Sequence, residues 1–347
     1  MNAQILLLLG QDGITNGAVY ALLALSIVLV FAVTRVLFIP QGEFVTFGAL
    51  AMGAIQAGKP TTLIWLVVAM AVAEAVLDAV AFVRKRPSRQ VLCRAALKLV
   101  CPLVVAVLLY TLPLAELPMV VQALLTIALI VPMGPQIYRL FYQPIASAST
   151  LVLLIISLAV HLALVGLGLL IFGPQGVRNP PFTDAVFQIG PMMLNSQTIW
   201  VLVVSIILIV FLFIFFERTL YGKALRAVAF NRVGARLMGI RPAYAGKLTF
   251  FLAALIGTVS GILISPITTL YYDSGFVISL KGFVGSIIGG LASYPVAAAG
   301  ALLVGLLESF SSFWASTYKE IIVFTLIIPF LLWRSLTSHH IEEEDEE

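Results

Sequence analysis

Residues 222–240, GKALRAVAFNRVGARLMGI, are a basic island in a chain that is otherwise largely apolar. The uncharged run 198–216 precedes the island, and a second apolar run, 248–264, follows it. Its positive charges are Lys223, Arg226, Arg232 and Arg236, and the alanine and leucine residues between them favour a helix. Because such a segment cannot lie in hydrocarbon, we expect it at one face of a membrane.

The island has a two-part form. A helix-favouring run starts at Gly222, Asn231 interrupts it, and a second short run extends to Gly239. This pattern predicts two short helices that together form a rigid unit, whereas a loop that only contacts anionic lipid needs no such form.

Composition predicts the surroundings of the island. Of 347 residues, 61% are hydrophobic and only 10% are charged, which indicates an all-α polytopic membrane protein. The net charge is +4, although the last six residues, 342–347, are all acidic. An excess of basic residues is typical of the cytoplasmic loops of membrane proteins. We therefore expect the protein to contact membrane lipid and not nucleic acid.

Apolar runs predict nine to eleven transmembrane helices, several of them short or discontinuous, in a single domain covering residues 1–347. The predicted spans are 13–33, 41–57, 61–83, 92–112, 117–138, 150–172, 198–216, 247–267, 277–292, 296–313 and 319–333. The positive-inside rule places loop 217–246 in the cytoplasm with the basic loop 84–94. Eleven spans then put the N-terminus outside, loop 173–197 outside, and the acidic tail 338–347 in the cytoplasm.

Motifs of enzymes are missing from the sequence. Gly53-x-x-x-x-Gly58-Lys59 resembles a phosphate-binding loop, but Pro60 stands where the loop needs Ser or Thr. His161 stands alone in a predicted span, and the chain has no HExxH motif. The sequence therefore predicts no catalytic residues, no metal site and no cofactor bound by this chain.

Charged residues within the predicted spans are costly in a bilayer unless they are paired or hydrated. They are Glu43, Glu74, Asp78, Lys281 and Glu308. Glu43 follows Pro40-Gln41-Gly42, a predicted helix break, and we expect it either to cap the helix or to face a cavity. Lys281 and Glu308 are expected to pair inside the bundle.

Five blocks of the sequence together carry a family resemblance. The pattern from Gly222 to Asn231, with Ala235, Leu237 and Gly239-Ile240, resembles the cytoplasmic coupling loop of ABC importer permeases. More specifically, it resembles that loop in the branched-chain amino acid permease family of the Liv type. Residues 13–29, 35–48, 142–145 and 281–333 resemble further blocks of that family, in the same order.

The resemblance implies an ABC importer permease fold in a bacterial inner membrane. It also implies a second permease subunit, expected to be a paralogue, two ATP-binding cassette subunits that carry ATP and Mg²⁺, and a periplasmic solute-binding protein. Its motif assigns ATPase coupling to Gly222, Arg226, Ala227, Asn231 and Gly239. The candidate translocation pathway is Gln41, Gly42, Glu43, Lys281 and Glu308.

Two departures from the family pattern stand out. Gln41 replaces the histidine of a His-Gly-Glu motif, which leaves the solute open between a branched-chain or other amino acid, urea, and a small amide or acid. Residues 88–137 are an insertion, which we interpret as a peripheral helical hairpin. The alternative function is a secondary transporter driven by an ion gradient, with coupling protons on Glu43, Glu74 and Asp78.

Overall fold

The computed structural model describes residues 3–84, 89–189, 192–291, 293–325, 328–330 and 332. In this part of the chain the helices, in order, are α1 (Ala3–Thr34), α2 (Gln41–Gln56), α3 (Leu63–Arg84), α4 (Arg89–Thr111), α5 (Met119–Ile130), α6 (Met133–Ile137), α7 (Thr150–Phe172), α8 (Ser196–Arg218), α9 (Leu220–Phe230), α10 (Arg232–Leu237), α11 (Pro242–Ile264), α12 (Ser274–Ile288), α13 (Tyr294–Trp314) and α14 (Lys319–Thr325). The described residues also contain one antiparallel β-hairpin, formed by strands β1 (Val186–Ile189) and β2 (Met192–Asn195).

The all-α polytopic architecture predicted from the sequence is confirmed. Within the described residues, seven helical segments are long and apolar enough to cross a membrane: Gln4–Thr34, Leu63–Val80, Met119–Ile145, Thr150–Phe172, Ser196–Arg218, Pro242–Ile264 and Tyr294–Trp314. Two shorter apolar helices, Leu99–Thr111 and Ser274–Ile288, accompany them. The first ten predicted spans each coincide with helix, and α14 begins the eleventh.

Helix α1 lies at the centre of the bundle and packs against α8, α11, α12 and α13. Its residues from Ala18 to Val30 are almost all buried. Its closest neighbour is α13, because Gly17 and Gly305 let the two backbones meet, and a side chain at Gly305 would overlap the backbone of Gly17. This contact holds α1 against the C-terminal part of the chain.

Helix α2 is short and nearly enclosed, between α5, α11 and α12. It begins after Pro40, and its chain turns away at Gly58, whose φ of +71° is readily adopted by glycine. Gly42 lies against the backbone of Gly275 in α12, so neither position has room for a side chain. Helix α2 is therefore fixed in place by its neighbours.

The two helices within residues 88–137, which we interpret as an inserted peripheral hairpin, pack in different places. Helix α4 packs on α3, and the exposed Val104 and Val107 are part of its outward face. Helix α5 instead packs against α2 and α11, and it buries Leu129 and Ile130 in the main core. Helix α5 therefore contributes to the core, and the interpretation of residues 88–137 as an insertion relative to the family stays a prediction.

The loop 173–197, predicted to be external, is more ordered than its Pro, Asn and Gly content indicates. It contains the β1–β2 hairpin, which the sequence did not predict. Val177 pairs with Leu270, and the side-chain amide of Asn179 donates to the carbonyl of Ala49 and to the hydroxyl of Ser265. This loop and the segment between α11 and α12 thus lie at the same end of the bundle.

One of the charged residues within the predicted spans, Asp78 of α3, has a basic partner. Asp78 accepts a hydrogen bond from Arg139 over 2.7 Å, and both side chains are partly buried. The acidic tail 338–347 lies outside the described residues, as do residues 85–88 of the basic loop 84–94.

Candidate coupling surface and charged cavity

The basic island folds as the two predicted short helices, α9 and α10. Thr219 caps α9, since its hydroxyl accepts a hydrogen bond from the backbone N–H of Gly222 at 3.0 Å. Asn231 caps α10, since its side-chain oxygen accepts from the N–H of Gly234 at 2.7 Å. Gly239 follows α10 with a φ of +84°. Asn231, the residue that interrupts the sequence pattern, is therefore the cap between the two helices.

The inner face of the α9–α10 unit is fixed to the bundle. Leu225 and Val228 of α9 and Ala235 of α10 are buried in one cluster with Leu29 of α1 and Leu252 of α11. At the start of α9, the backbone of Gly222 lies against that of Phe215, where a side chain does not fit. The α9–α10 unit therefore cannot shift without moving the ends of α1 and α11.

A further tie runs from α10 to the turn before α7. The guanidinium of Arg232 donates to the carbonyl of Ala146 over 3.1 Å. Arg226 instead forms a 3.1 Å pair with Glu217, and both of those side chains are about half exposed. A pair of this exposure contributes little to stability, which leaves Arg226 available to a partner.

The outer face of the α9–α10 unit is apolar as well as basic. Its exposed large apolar side chains are Leu220, Tyr221, Phe230, Val233, Leu237 and Met238. Phe230 is 95% exposed, and Leu237 and Met238 are each 83% exposed. An exposed apolar patch of this kind is typical of a surface that contacts another protein or a membrane.

The five predicted coupling residues fall into different environments. Arg226, Asn231 and Gly239 are exposed, Ala227 is half buried, and Gly222 is buried at the helix crossing. Sequence reasoning missed the apolar outer face because exposure of Phe230 or Leu237 depends on which side of each short helix faces the bundle. The available signal was the spacing along the helix. Leu225 and Val228 are spaced to share the buried face of α9, whereas Phe230 is not spaced to lie on that face.

At the other end of α1, the bundle contains a cavity of about 590 Å³. The first half of α1, the start of α8, the segment between α11 and α12, and helices α12, α13 and α14 all line it. Because Leu29 and Val33 of α1 contact the α9–α10 unit, the cavity and this unit lie towards opposite ends of the same helix.

The predicted pair of Lys281 and Glu308 is present in the wall of this cavity. The ammonium of Lys281 lies 2.5 Å from one oxygen of Glu308 and 3.1 Å from a carboxylate oxygen of Glu320 in α14. The hydroxyl of Tyr20 in α1 donates to the other oxygen of Glu308 over 2.6 Å. The network therefore joins α1, α12, α13 and α14, and sequence reasoning missed Tyr20 and Glu320.

Gln41, Gly42 and Glu43 do not line the cavity. Glu43 is 1% exposed, and its carboxylate lies 2.8 Å from the Nδ1 atom of His161 in α7. The side-chain amide of Gln41 donates to the carbonyl of Ala253 in α11. The expectation that His161 stands alone is wrong, because the fold brings α7 beside the start of α2.

Helix α12 separates the two groups of predicted pathway residues. Gly42 packs against Gly275 and Ser279 on one face of α12, whereas Ile278 and Lys281 on another face line the cavity. The five residues are thus not one site in this structure. Only Lys281 and Glu308 line the cavity.

Comparison with known proteins identifies the family. The family described as "Branched-chain amino acid transport system / permease component" matches residues 92–331. The branched-chain amino acid permease protein LivH of Escherichia coli K12 is 25% identical over 352 residues, which cover 96% of this chain and 95% of LivH.

Two other relatives match shorter regions. LivH of Salmonella typhimurium is 29% identical over 57% of this chain and 67% of its own length. The permease protein BraD of Pseudomonas aeruginosa is 27% identical over 64% of this chain and 75% of its own length. No solved structure matches the chain significantly. The family match over most of the sequence shows that the chain belongs to the permease components of branched-chain amino acid transport systems.

Proposed function

We propose that the chain is the membrane-spanning permease subunit of an ABC importer and that it moves a small amino acid into the cell. Two separate ATP-binding cassette subunits supply the energy, and they carry the ATP and Mg²⁺. The observation that carries this proposal is the α9–α10 unit, whose inner face is fixed to α1 and α11 while its outer face exposes Phe230 and Leu237.

The α9–α10 unit supports a mechanical role. When the ATP-binding subunits close, they push or pull the outer face, and the buried side chains of Leu225 and Val228 pass that displacement to α1 and α11. Helix α1 has 32 residues, so it extends for about 48 Å and reaches from the α9–α10 unit to the charged cavity. A rigid helix of this length carries movement from one end of the bundle to the other.

The partners and the orientation belong to the same proposal. The α9–α10 unit faces the cytoplasm with the C-terminus, and the N-terminus and the cavity face the outside of a bacterial inner membrane. A second permease subunit, a paralogue of this chain, completes the passage, and a periplasmic solute-binding protein delivers the solute. The relatives are permeases for branched-chain amino acids, which supports an amino acid as the solute.

The alternative, an ion-gradient-driven transporter, has one observation in its favour. Glu43 and His161 form a buried pair of titratable groups inside the bundle, an arrangement that proton-coupled transporters use. We place the pair in a structural role, because it lies away from the cavity and fixes α2 to α7.

Uptake into proteoliposomes tests the proposal. The chain is reconstituted with its second permease, its ATP-binding subunits and its solute-binding protein, and uptake of radiolabelled leucine is measured. We expect uptake to require ATP on the side of the membrane that the α9–α10 unit faces. We also expect uptake to continue when an uncoupler collapses the proton gradient. Uptake that stops with the uncoupler while ATP is held constant supports the ion-driven alternative instead.

A further inference from the structure

We infer that an apolar groove between α8, α9 and α11 binds an anionic phospholipid from the membrane leaflet on the side of the α9–α10 unit. The phosphate of the lipid lies at Arg241, and one of its acyl chains lies in the groove. Only the membrane location of the chain is needed for this inference, which goes beyond the proposed transport function. The composition, the depth and the charge of the groove each favour such a lipid.

The groove has a volume of about 510 Å³, and its lining is mostly apolar. Helix α9 contributes Ala224 and Leu225, helix α11 contributes Leu248 and Phe251, and helix α8 contributes Phe215. Phe251 is 40% exposed, so the groove opens to the surface of the bundle. Because the surface of a transmembrane helix such as α11 meets hydrocarbon, an acyl chain is the natural occupant of this opening.

The groove follows α11 over the depth of one leaflet. Its lining on this helix extends from Arg241, at the N-cap, to Phe251, ten residues further along the chain. At a rise of ~1.5 Å per residue, the distance is about 15 Å, which is half of the ~30 Å hydrocarbon core. Tyr244, one turn from Arg241, is exposed, and exposed tyrosines are typical of the headgroup level. The dimensions therefore place a headgroup at Arg241 and an acyl chain towards Phe251.

The charge of the groove is positive. Arg241 and Lys247 line it, and no acidic side chain is among the described residues of the lining. The guanidinium carbon of Arg241 lies 5.9 Å from the ring centre of Tyr244, a contact that keeps the positive charge beside the groove. The positive end of the α11 dipole lies at the same place. Because a guanidinium matches two phosphate oxygens, Arg241 is complementary to a lipid phosphate.

Native mass spectrometry of the full-length chain, released from detergent micelles, tests the inference. The two probes are dioleoyl-phosphatidylglycerol, which is anionic, and dioleoyl-phosphatidylethanolamine, which is zwitterionic and has the same acyl chains. We expect the chain to bind the first molecule of phosphatidylglycerol about fivefold or more tightly than phosphatidylethanolamine. A basic side chain near an anionic headgroup contributes about that factor.

The Arg241→Gln variant locates the headgroup. Arg241 is exposed, so the variant should fold, and thermal unfolding verifies this. We expect its affinity for phosphatidylglycerol to fall about fivefold. The matched control is Arg236→Gln, which removes the same charge from an exposed position of α10 outside the groove. The control should bind phosphatidylglycerol as the unchanged chain does.

The Ala224→Phe variant locates the acyl chain. Its ring occupies space within the groove that at least two methylene groups of the lipid would fill. We therefore expect the affinities for both lipids to fall about tenfold, whatever the headgroup. Thermal unfolding again verifies that the variant is folded.

Three results would overturn the inference. They are equal affinity of the unchanged chain for the two lipids, a folded Arg241→Gln variant with unchanged affinity for phosphatidylglycerol, and a folded Ala224→Phe variant with unchanged affinity for both. If Ala224→Phe keeps its lipid affinity but loses co-expressed ATP-binding subunits, the groove holds the ATPase and not a lipid. ATP takes no part in the binding assay, so a negative result would leave the proposed importer function standing.

Discussion

The buried pair of Glu43 and His161 provides a quantitative test of how α7 is held to α2. The two side chains are 1% and 8% exposed, and their hydrogen bond is 2.8 Å long. The other oxygen of Glu43 has no partner among the described residues. Replacing His161 by leucine therefore leaves a buried carboxylate without its bonded partner, which costs about 3–5 kcal/mol.

A double-mutant cycle separates this pair from general packing. Glu43→Leu with His161→Leu removes both members, and replacing a buried pair by apolar residues is often close to neutral. We therefore expect the double variant to be more stable than His161→Leu alone, with a coupling free energy of ~2–3 kcal/mol. Reversible unfolding in mixed detergent micelles measures each variant.

Leu162→Ala is the matched control. It lies next to His161 on α7 but is 62% exposed, so it should change the free energy of unfolding by less than about 0.5 kcal/mol. If the free energies of the two single variants simply add in the double variant, the pair does not hold α7 to α2, and the reasoning fails.

Two further predictions concern the helix contacts and the caps. Gly42→Val places a side chain on the backbone of Gly275. We therefore expect the free energy of unfolding to fall by about 1–3 kcal/mol, or the yield of folded protein in size-exclusion chromatography to fall. Gly10→Val is the control, since its side chain meets no neighbour, and it should behave as the unchanged chain. Asn231→Ala removes the acceptor for the N–H of Gly234. We expect this variant to lower ATP-driven uptake while it reduces the free energy of unfolding by only about 1 kcal/mol. Full uptake by the variant would exclude a role of the α10 cap in transport.

Much of the fold follows from the sequence, because apolar runs of sufficient length have few alternatives to a transmembrane helix. The two-helix form of the basic island was also predictable. Asn231 and Gly239 are residues that cap and end helices, and the structure uses them in that way. These features depend on neighbours in the chain, which is why a sequence pattern reveals them.

Contacts between distant residues were not predictable in the same way. Glu43 and His161 are 118 residues apart, and Tyr20 and Glu308 are 288 residues apart. Each residue alone is an isolated polar group in an apolar run, and only the packing of the helices shows its partner. The pairing of Lys281 with Glu308 was predicted because two opposite charges inside a bundle have a strong reason to meet.

Placement also decided which pathway residues share a site. The candidate pathway predicted from the sequence combined the motif Gln41-Gly42-Glu43 with two charged residues of later spans, Lys281 and Glu308. The structure puts the first three on the other side of α12, in contact with α7 and α11. The direction in which each helix turns its polar face is a property of the packed bundle and leaves no local signal.

We propose that the outer face of the α9–α10 unit binds an ATPase, and co-purification with that subunit is the experiment for this contact. In the variant Phe230→Asp with Leu237→Asp, two exposed apolar side chains become acidic without disturbing the buried inner face. Val186→Asp is the matched control, since Val186 is an exposed apolar residue of the β1–β2 hairpin.

The chain and its ATP-binding subunits are expressed together, and the ATPase activity retained per purified chain is measured. We expect the double variant to lose the ATPase at unchanged thermal stability, while Val186→Asp retains it. An unchanged amount of ATPase on the double variant would show that the outer face of the α9–α10 unit does not bind the ATPase.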